Sequence, residues 1–352
     1  MMAEVVSLSL EELQQAADNL VSAAGLVGEV ELHPLTGGGN NRVFRVDAKG
    51  SSFLLKVYFQ HPGDRRDRLG TEFAFSQFAW DNGVRALPQP LACDRQKGLG
   101  LYEFVRGRRL EPQEVTAETV EQALNFYREI NCYKQLTEAQ NLPKASEACF
   151  TLEEHLQCVE RRLVRLQTVE ASSDSDRSAV EFIHNELLEL WKRVRSRVVQ
   201  QASQWSLKLE AEIASLDRCL SPSDFGFHNA ILSNSGQLRF LDFEYAGWDD
   251  PGKMVSDFFC QPAVPVSLDY YSKFVEAVVS ELSEPEQHRQ RMAILLPVYR
   301  VKWCCILLND FLPVGSQRRS FAGQVADREV HKAVQLQKAR GALQYLKENR
   351  EF

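Results

Sequence analysis

The chain has 352 residues, 44% hydrophobic and 25% charged, with a formal net charge of −7; that length allows a large core and two lobes or domains. The acidic balance speaks against bulk binding of nucleic acid, no apolar run approaches a membrane span, and residues 1–20 lack the basic and apolar regions of a signal peptide. A cytoplasmic protein with neither nucleic acid nor membrane as partner is expected, and its eight scattered cysteines, none in a CxxC pair, read as reduced thiols.

Ser9 and Glu12 form a capping box that opens a helix through Leu13, Ala16 and Leu20. Residues 30–35 and 42–46 read as two strands joined by a glycine-rich turn. Gly37, Gly38, Gly39 and Asn40 in that turn can bring backbone N–H groups close to phosphate oxygens. Residues 52–58 form a strand with one lysine, Lys56, in an apolar run. Burying it unpaired would be costly, so it needs a partner or must reach outward. Glu72, on a helix expected over 71–80, is the partner a nucleotide-binding lobe would use, leaving Lys56 to orient the α- and β-phosphates. The charged turn 61–68 between them reads as a solvated run. Residues 99–107 read as a strand closed by Gly107. There Glu103, Phe104 and Val105 are placed to meet an adenine through main-chain atoms.

From 116 to 216 the spacing is helical, broken by a polar stretch at 170–176. Basic residues between Arg161 and Arg197 read as a solvated helix face balanced by Glu181, Glu186 and Glu189. The stretch from Pro222 to Asp257 then carries Asp224, Asn229 five residues later, a turn at Gly236 and a short apolar strand ending at Asp242. That layout suits phosphoryl transfer. Asp224 accepts or orients the proton of an incoming hydroxyl, while Asn229 and Asp242 converge on Mg2+. His228 reads as a loop-packing imidazole. Glu244 is open between a second metal and a backbone hydrogen bond. In the apolar helix after 296, Tyr299, Arg300 and Trp303 are candidates to meet the acceptor. Arg300 and Lys302 need partners there, either an anionic substrate group or carboxylates such as Asp249 and Asp250.

The ordered set LTGGGNNRVFRV, Lys56, Glu72, YEFVRG, DFGFHN, DFEYAGWDDP and Asp257 resembles the aminoglycoside phosphotransferase and choline kinase-like superfamily. The resemblance implies a two-lobed, protein-kinase-like α+β fold. A small antiparallel sheet and a helix would form a nucleotide-binding lobe over 1–106. A mainly helical catalytic and acceptor-binding lobe would span 107–352, with a helical insertion at about residues 150–217. It implies ATP and Mg2+ as cofactors, Asp224 as the catalytic carboxylate, Asn229 and Asp242 as metal ligands, and Asp257 as a brace for the catalytic loop. One departure is Pro222-Ser223, where many relatives carry His-Gly. The activity implied is phosphorylation of a hydroxyl on a small molecule such as an amino alcohol, sugar or aminoglycoside. The alternative is a catalytically degenerate nucleotide-binding scaffold. No HRD or APE segment favours a protein kinase.

Overall fold

A computed structural model describes residues 8–26, 28–35, 41–60, 64, 66–312 and 328–348. The turn residues Gly37, Gly38, Gly39 and Asn40 lie outside them. Helix α1 (Leu10–Ala23) starts where Ser9 and Glu12 make their reciprocal capping bonds. Strands β1 (Val30–Leu35), β2 (Arg42–Ala48), β3 (Ser51–Val57), β4 (Pro90–Asp94) and β5 (Leu99–Glu103) form one antiparallel sheet in the order β1-β2-β3-β5-β4. Alternation along β2 turns Phe44, Val46 and Ala48 inward. They share a core with Leu13, Ala16, Ala17, Leu20 and Val21 of α1. The register sets Lys56 opposite Val43 on one side and Gly100 on the other. Helix α2 (Arg68–Asp81), capped by Asp67, carries Glu72 toward that lysine. Its Phe75 and Phe78 belong instead to the second, larger core.

That second core is helical. Helices α3 (Ala117–Asn131), α4 (Leu152–Leu166), α5 (Asp174–Phe182) and α6 (Leu188–Gln204) precede the site. Helices α7 (Pro251–Cys260), α8 (Tyr271–Val279), α9 (Pro285–Leu307) and α10 (Arg328–Glu348) follow it. The polar break ends earlier than the spacing suggests, because Ser173 caps α5 and a π-turn over Ile183–Leu187 joins α5 to α6. On the basic face, Lys192 and Arg195 pair with Glu189 and Glu160 at the surface. Arg162 departs from it, drawn inward to Glu147.

By length and composition, Pro285–Phe311 would pass as a membrane span, contrary to the sequence reading. It is mostly buried here, with α4, α6, α7, α8 and α10 packed against α9. A helix enclosed on several sides is apolar all round for that reason. All eight cysteines are free; six are buried, Cys93 is half-buried and Cys132 is exposed.

Two small sheets hold the site against this core. β7 (Cys219–Ser221) pairs with β10 (Gly247–Asp249), and β6 (Gly107–Arg109) joins β8 (Ala230–Ser233) and β9 (Leu238–Phe240) in the order β6-β8-β9. The strand expected over 99–107 therefore stops at Glu103, and Gly107 begins a new one. Glycine is required there by close approach, since a Cβ at 107 would lie 2.4 Å from the Leu232 carbonyl oxygen. The connector between the lobes is thus hydrogen-bonded to the hairpin that follows Asn229.

Candidate active site

Lys56 stands at the centre. It is buried, reaches Glu72 at 2.7 Å and makes a close ion pair with Asp242. Burial works against its charge, but the two carboxylates more than offset this and hold its pKa well above the ordinary value. Tyr58 donates to Glu72 Oε2 at 2.7 Å, and its hydroxyl also lies 2.8 Å from that of Tyr102. Gly100 leaves room for this arrangement, because a Cβ there would lie 2.7 Å from the Tyr102 ring. Burial pushes Glu72 up to about 7 despite Lys56. The lysine divides its charge between two carboxylates, so neither is fully compensated.

Asp242 follows β9 with φ +66, a left-handed conformation uncommon outside glycine. About a third of its side chain is exposed, 32%. Burial raises its pKa and Lys56 only partly opposes the rise. Asn229 lies at the other end of the same hairpin, where its carbonyl accepts from Leu241 N–H at 2.8 Å. Its Nδ2 donates to the Asp224 carbonyl at 3.0 Å and to Asp224 Oδ2 at 3.2 Å. Among the described residues no donor reaches Asn229 Oδ1.

Asp224 is also 32% exposed, with His228 Nε2 3.2 Å from its Oδ1. Burial alone would raise its pKa, but His228 and Asn229 reverse that and hold the carboxyl below its ordinary range. His228 is therefore more than the packing ring the sequence suggests. The loop is braced from below at Ser223, which has φ +66 and accepts from Lys253 Nζ at 3.2 Å. Lys253 is also ion-paired with Asp249 and lies 3.7 Å from Asp257.

The sequence reading needs correction at several of these positions. Asp257, read as a brace, lies in the middle of α7. It accepts from Lys302 Nζ at 2.9 Å and Trp303 Nε1 at 2.9 Å, and reaches the loop that carries Asp224 through Lys253 at Ser223 and through Trp303 at His228. Arg68, read as part of a solvated run, is 2% exposed. It donates to Glu244 at 2.6 Å, Tyr245 at 2.8 Å and Asp64 at 2.8 Å. Glu244 also accepts from Asn41 at 2.7 Å. Its carboxylate is thus engaged by the side chains of Arg68 and Asn41.

Of the acceptor candidates, Trp303 is half-buried with its ring edge-on to His228, 6.4 Å between centroids. Tyr299 is 1% exposed, and its hydroxyl lies 2.8 Å from His155 Nδ1. It faces the core, not a pocket. Arg300 stacks over Tyr345 of α10 at 4.6 Å. Asp249 and Asp250, offered as its partners, serve Lys253 and Arg291 instead.

On the connector, the Glu103 N–H is taken by the Gln89 carbonyl at 2.8 Å. Its carboxylate accepts from Gln89 N–H at 3.1 Å and Arg239 at 2.7 Å. Residue 103 can therefore offer a nucleotide only its carbonyl. Val105 is half-buried and, with Glu103 and Arg239, lines a cavity of about 730 Å³ that none of Lys56, Glu72, Asp224, Asn229 or Asp242 borders.

Asn41, Tyr58, Arg68, Lys253 and His228 were not singled out for these roles. Lys253 had a signal, standing four residues after Asp249 and four before Asp257. The partners of the others lie too far away in sequence, or are too ordinary, to be read.

A family model described as a phosphotransferase enzyme family matches residues 31–271. Among solved structures, the chain is similar to a choline kinase from Cryptosporidium parvum Iowa II, with 11% identity, 98% of each chain covered and a TM-score of 0.58. It is similar to a spectinomycin phosphotransferase crystallised with ADP and spectinomycin, with 13% identity, 96% and 100% coverage and a TM-score of 0.56. A Plasmodium vivax ethanolamine kinase gives 14% identity, 95% and 90% coverage and a TM-score of 0.55. At such identities these likenesses establish the kinase-like fold. No curated protein sequence matches the chain.

Proposed function

The chain belongs to the phosphotransferase enzyme family, and from that premise we propose that it transfers the γ-phosphoryl group of ATP to a hydroxyl of a small molecule. The observation that carries this reading is the convergence of Lys56, Glu72 and Asp242 from three separate elements. A lysine held between two carboxylates is poised to give one of them up to a cation and turn toward phosphate oxygens. Asn229 Oδ1 and the exposed Asp242 carboxylate fit Mg2+, which prefers a few protein oxygens and completes its shell with phosphate and water. Among the described residues no group of three or more His, Cys, Asp or Glu is placed to hold a metal. When bound, Mg2+ would neutralise charge on the transferring phosphate. Lys56 would orient the α- and β-phosphates, and the Glu103 carbonyl with Val105 main chain would meet the base. Asp224, ionised and fixed by Asn229, would accept or orient the acceptor's proton. Choline, ethanolamine and spectinomycin kinases among the similar folds support an amino alcohol, sugar or aminoglycoside-like acceptor.

The test is ATP turnover over a panel of amino alcohols, sugars and aminoglycosides, combined with calorimetric nucleotide titrations. Asp242→Asn should weaken nucleotide binding in Mg2+ far more than in EDTA. An equal loss in both, with no acceptor raising turnover above background, would assign the chain to a nucleotide-binding scaffold instead.

A further inference from the structure

The two oxygens of the Asp224 carboxylate are held by different residues. Asn229 Nδ2 donates to Oδ2, and His228 Nε2 lies at the same 3.2 Å from Oδ1. An ionised carboxylate only accepts, so Nε2 carries the proton of that bond. Asn229 already has a role toward the cation, whereas His228 has none. Yet the chain makes a place for its ring on two sides. On one side Gly226 has φ 169, extended backbone that any residue can adopt, so its conformation does not call for glycine. Space does: a Cβ at 226 would lie 2.7 Å from His228 Nδ1. On the other side the Trp303 ring meets the imidazole edge-on at 83°. That indole is itself pinned by its Nε1 donating to Asp257 at 2.9 Å. Asp257 also accepts from Lys302, so the anchor of the ring lies in α7 and α9, outside the catalytic loop. Nδ1, buried, has no partner among the described residues. The ring's one hydrogen bond goes to Asp224.

We propose that His228 is a positioning residue for phosphoryl transfer, fixing the plane of the Asp224 carboxylate before the acceptor arrives. The proposal rests on the reading of Asp224 as the group that meets the acceptor hydroxyl. A carboxylate held on one oxygen can still swing about its Cβ–Cγ bond, and held on both it cannot. Small losses of alignment at a reacting group cost rate much more than they cost binding.

Two measurements test it. The first uses Mg2+ and ATP with choline, ethanolamine or spectinomycin, whichever the wild-type protein phosphorylates. His228→Ala should lower kcat by about ten- to hundredfold and leave KM for ATP and calorimetric nucleotide affinity within about twofold. His228→Gln, whose amide nitrogen can stand near the place of Nε2, should recover a substantial part of the loss. Gly226→Ala, which displaces the ring, should reproduce part of it. A kcat for His228→Ala within twofold of wild type, with wild type active, overturns this inference and spares the phosphotransferase reading. So does an equal loss in the Ala and Gln variants accompanied by loss of nucleotide affinity, which would mark a merely structural ring. A wild-type protein inactive on all three acceptors and in the wider panel defeats the phosphotransferase reading and this inference with it. The second measurement needs no turnover. The His228 ring correlations in 15N-edited NMR of the nucleotide-free protein should shift on Asp224→Ala. Unchanged correlations would show that the contact does not exist.

Discussion

Asp224 and Asp242 on one side, and Asp250 and Asp257 on the other, are carboxylates of the same short stretch of chain in opposite circumstances. The first pair keeps about a third of each side chain exposed, 32%. The side chains of the second pair are at most 2% exposed. Asp250 accepts from Gly252 N–H, Arg291 and a nitrogen of His155. Asp257 is surrounded by Lys302, Lys253 and Trp303. A buried ionised carboxylate must be matched by donors or it takes up a proton. A carboxylate that is to meet a ligand must instead keep one face open and tolerate poorer compensation. Burial and partners, not residue type or place in the sequence, separate the acids that hold this molecule together from those left open to solvent.

The comparison can be broken most directly at Asp224. Asp224→Ala should lower kcat by roughly 10²–10⁴-fold, with the thermal midpoint moving by no more than about 2 °C. A variant that melts much earlier, or keeps its rate, would erase the distinction. Asp250→Asn should do the reverse. Leaving Arg291 without its charge partner should cost about 3–5 kcal/mol in urea unfolding. Burial alone would raise the Asp250 pKa, but Arg291 and His155 reverse this and hold it well below the ordinary value of 3.8. A group depressed in this way stabilises the fold above its unfolded pKa and loses that contribution as pH falls through the lower folded value. The gap between wild type and variant should therefore persist from neutral pH down to about 3.8 and close below it. A gap that opened only on acidification would contradict the assignment. The smallest effect is expected at the rim. Arg239→Ala breaks an ion pair with Glu103 whose side chains are 21% and 36% exposed. It should change stability by about 0–1 kcal/mol and leave kcat as it was.

What could be read from the sequence followed physical necessity over short distances. A lysine alone in an apolar strand needs a carboxylate, and Glu72 was near enough to be named. Asp224, Asn229 and Asp242 lie within one loop and hairpin, so their convergence was local geometry. The acceptor side was less legible. Helix α9 is apolar on several faces because other helices enclose it, so no stripe shows which residue faces the site. Tyr299 and Trp303 are one turn apart, yet one is buried against His155 and the other approaches His228. Arg68 could not be told from Arg66 within a run of charges, because its partner Glu244 is 176 residues away. His228 looked like packing because nothing local showed which way its ring turned.

The pairing of β6 with β8 fixes the spacing between connector and hairpin. Gly107 lies opposite Ser233, Arg108 opposite Leu232 and Arg109 opposite Ile231. Main-chain bonds of β6, beside the Glu103–Arg239 ion pair, thus link the connector that would meet a base to the hairpin whose ends carry Asn229 and Asp242. The stretch works as a ruler, with its length set by register and not by the side chains along it. Substitutions on its surface leave the graduations where they are. Inserting one residue before Gly107 would bring a side chain against the Leu232 carbonyl, or slide the two scales past each other and turn every side chain of β6 to the opposite face.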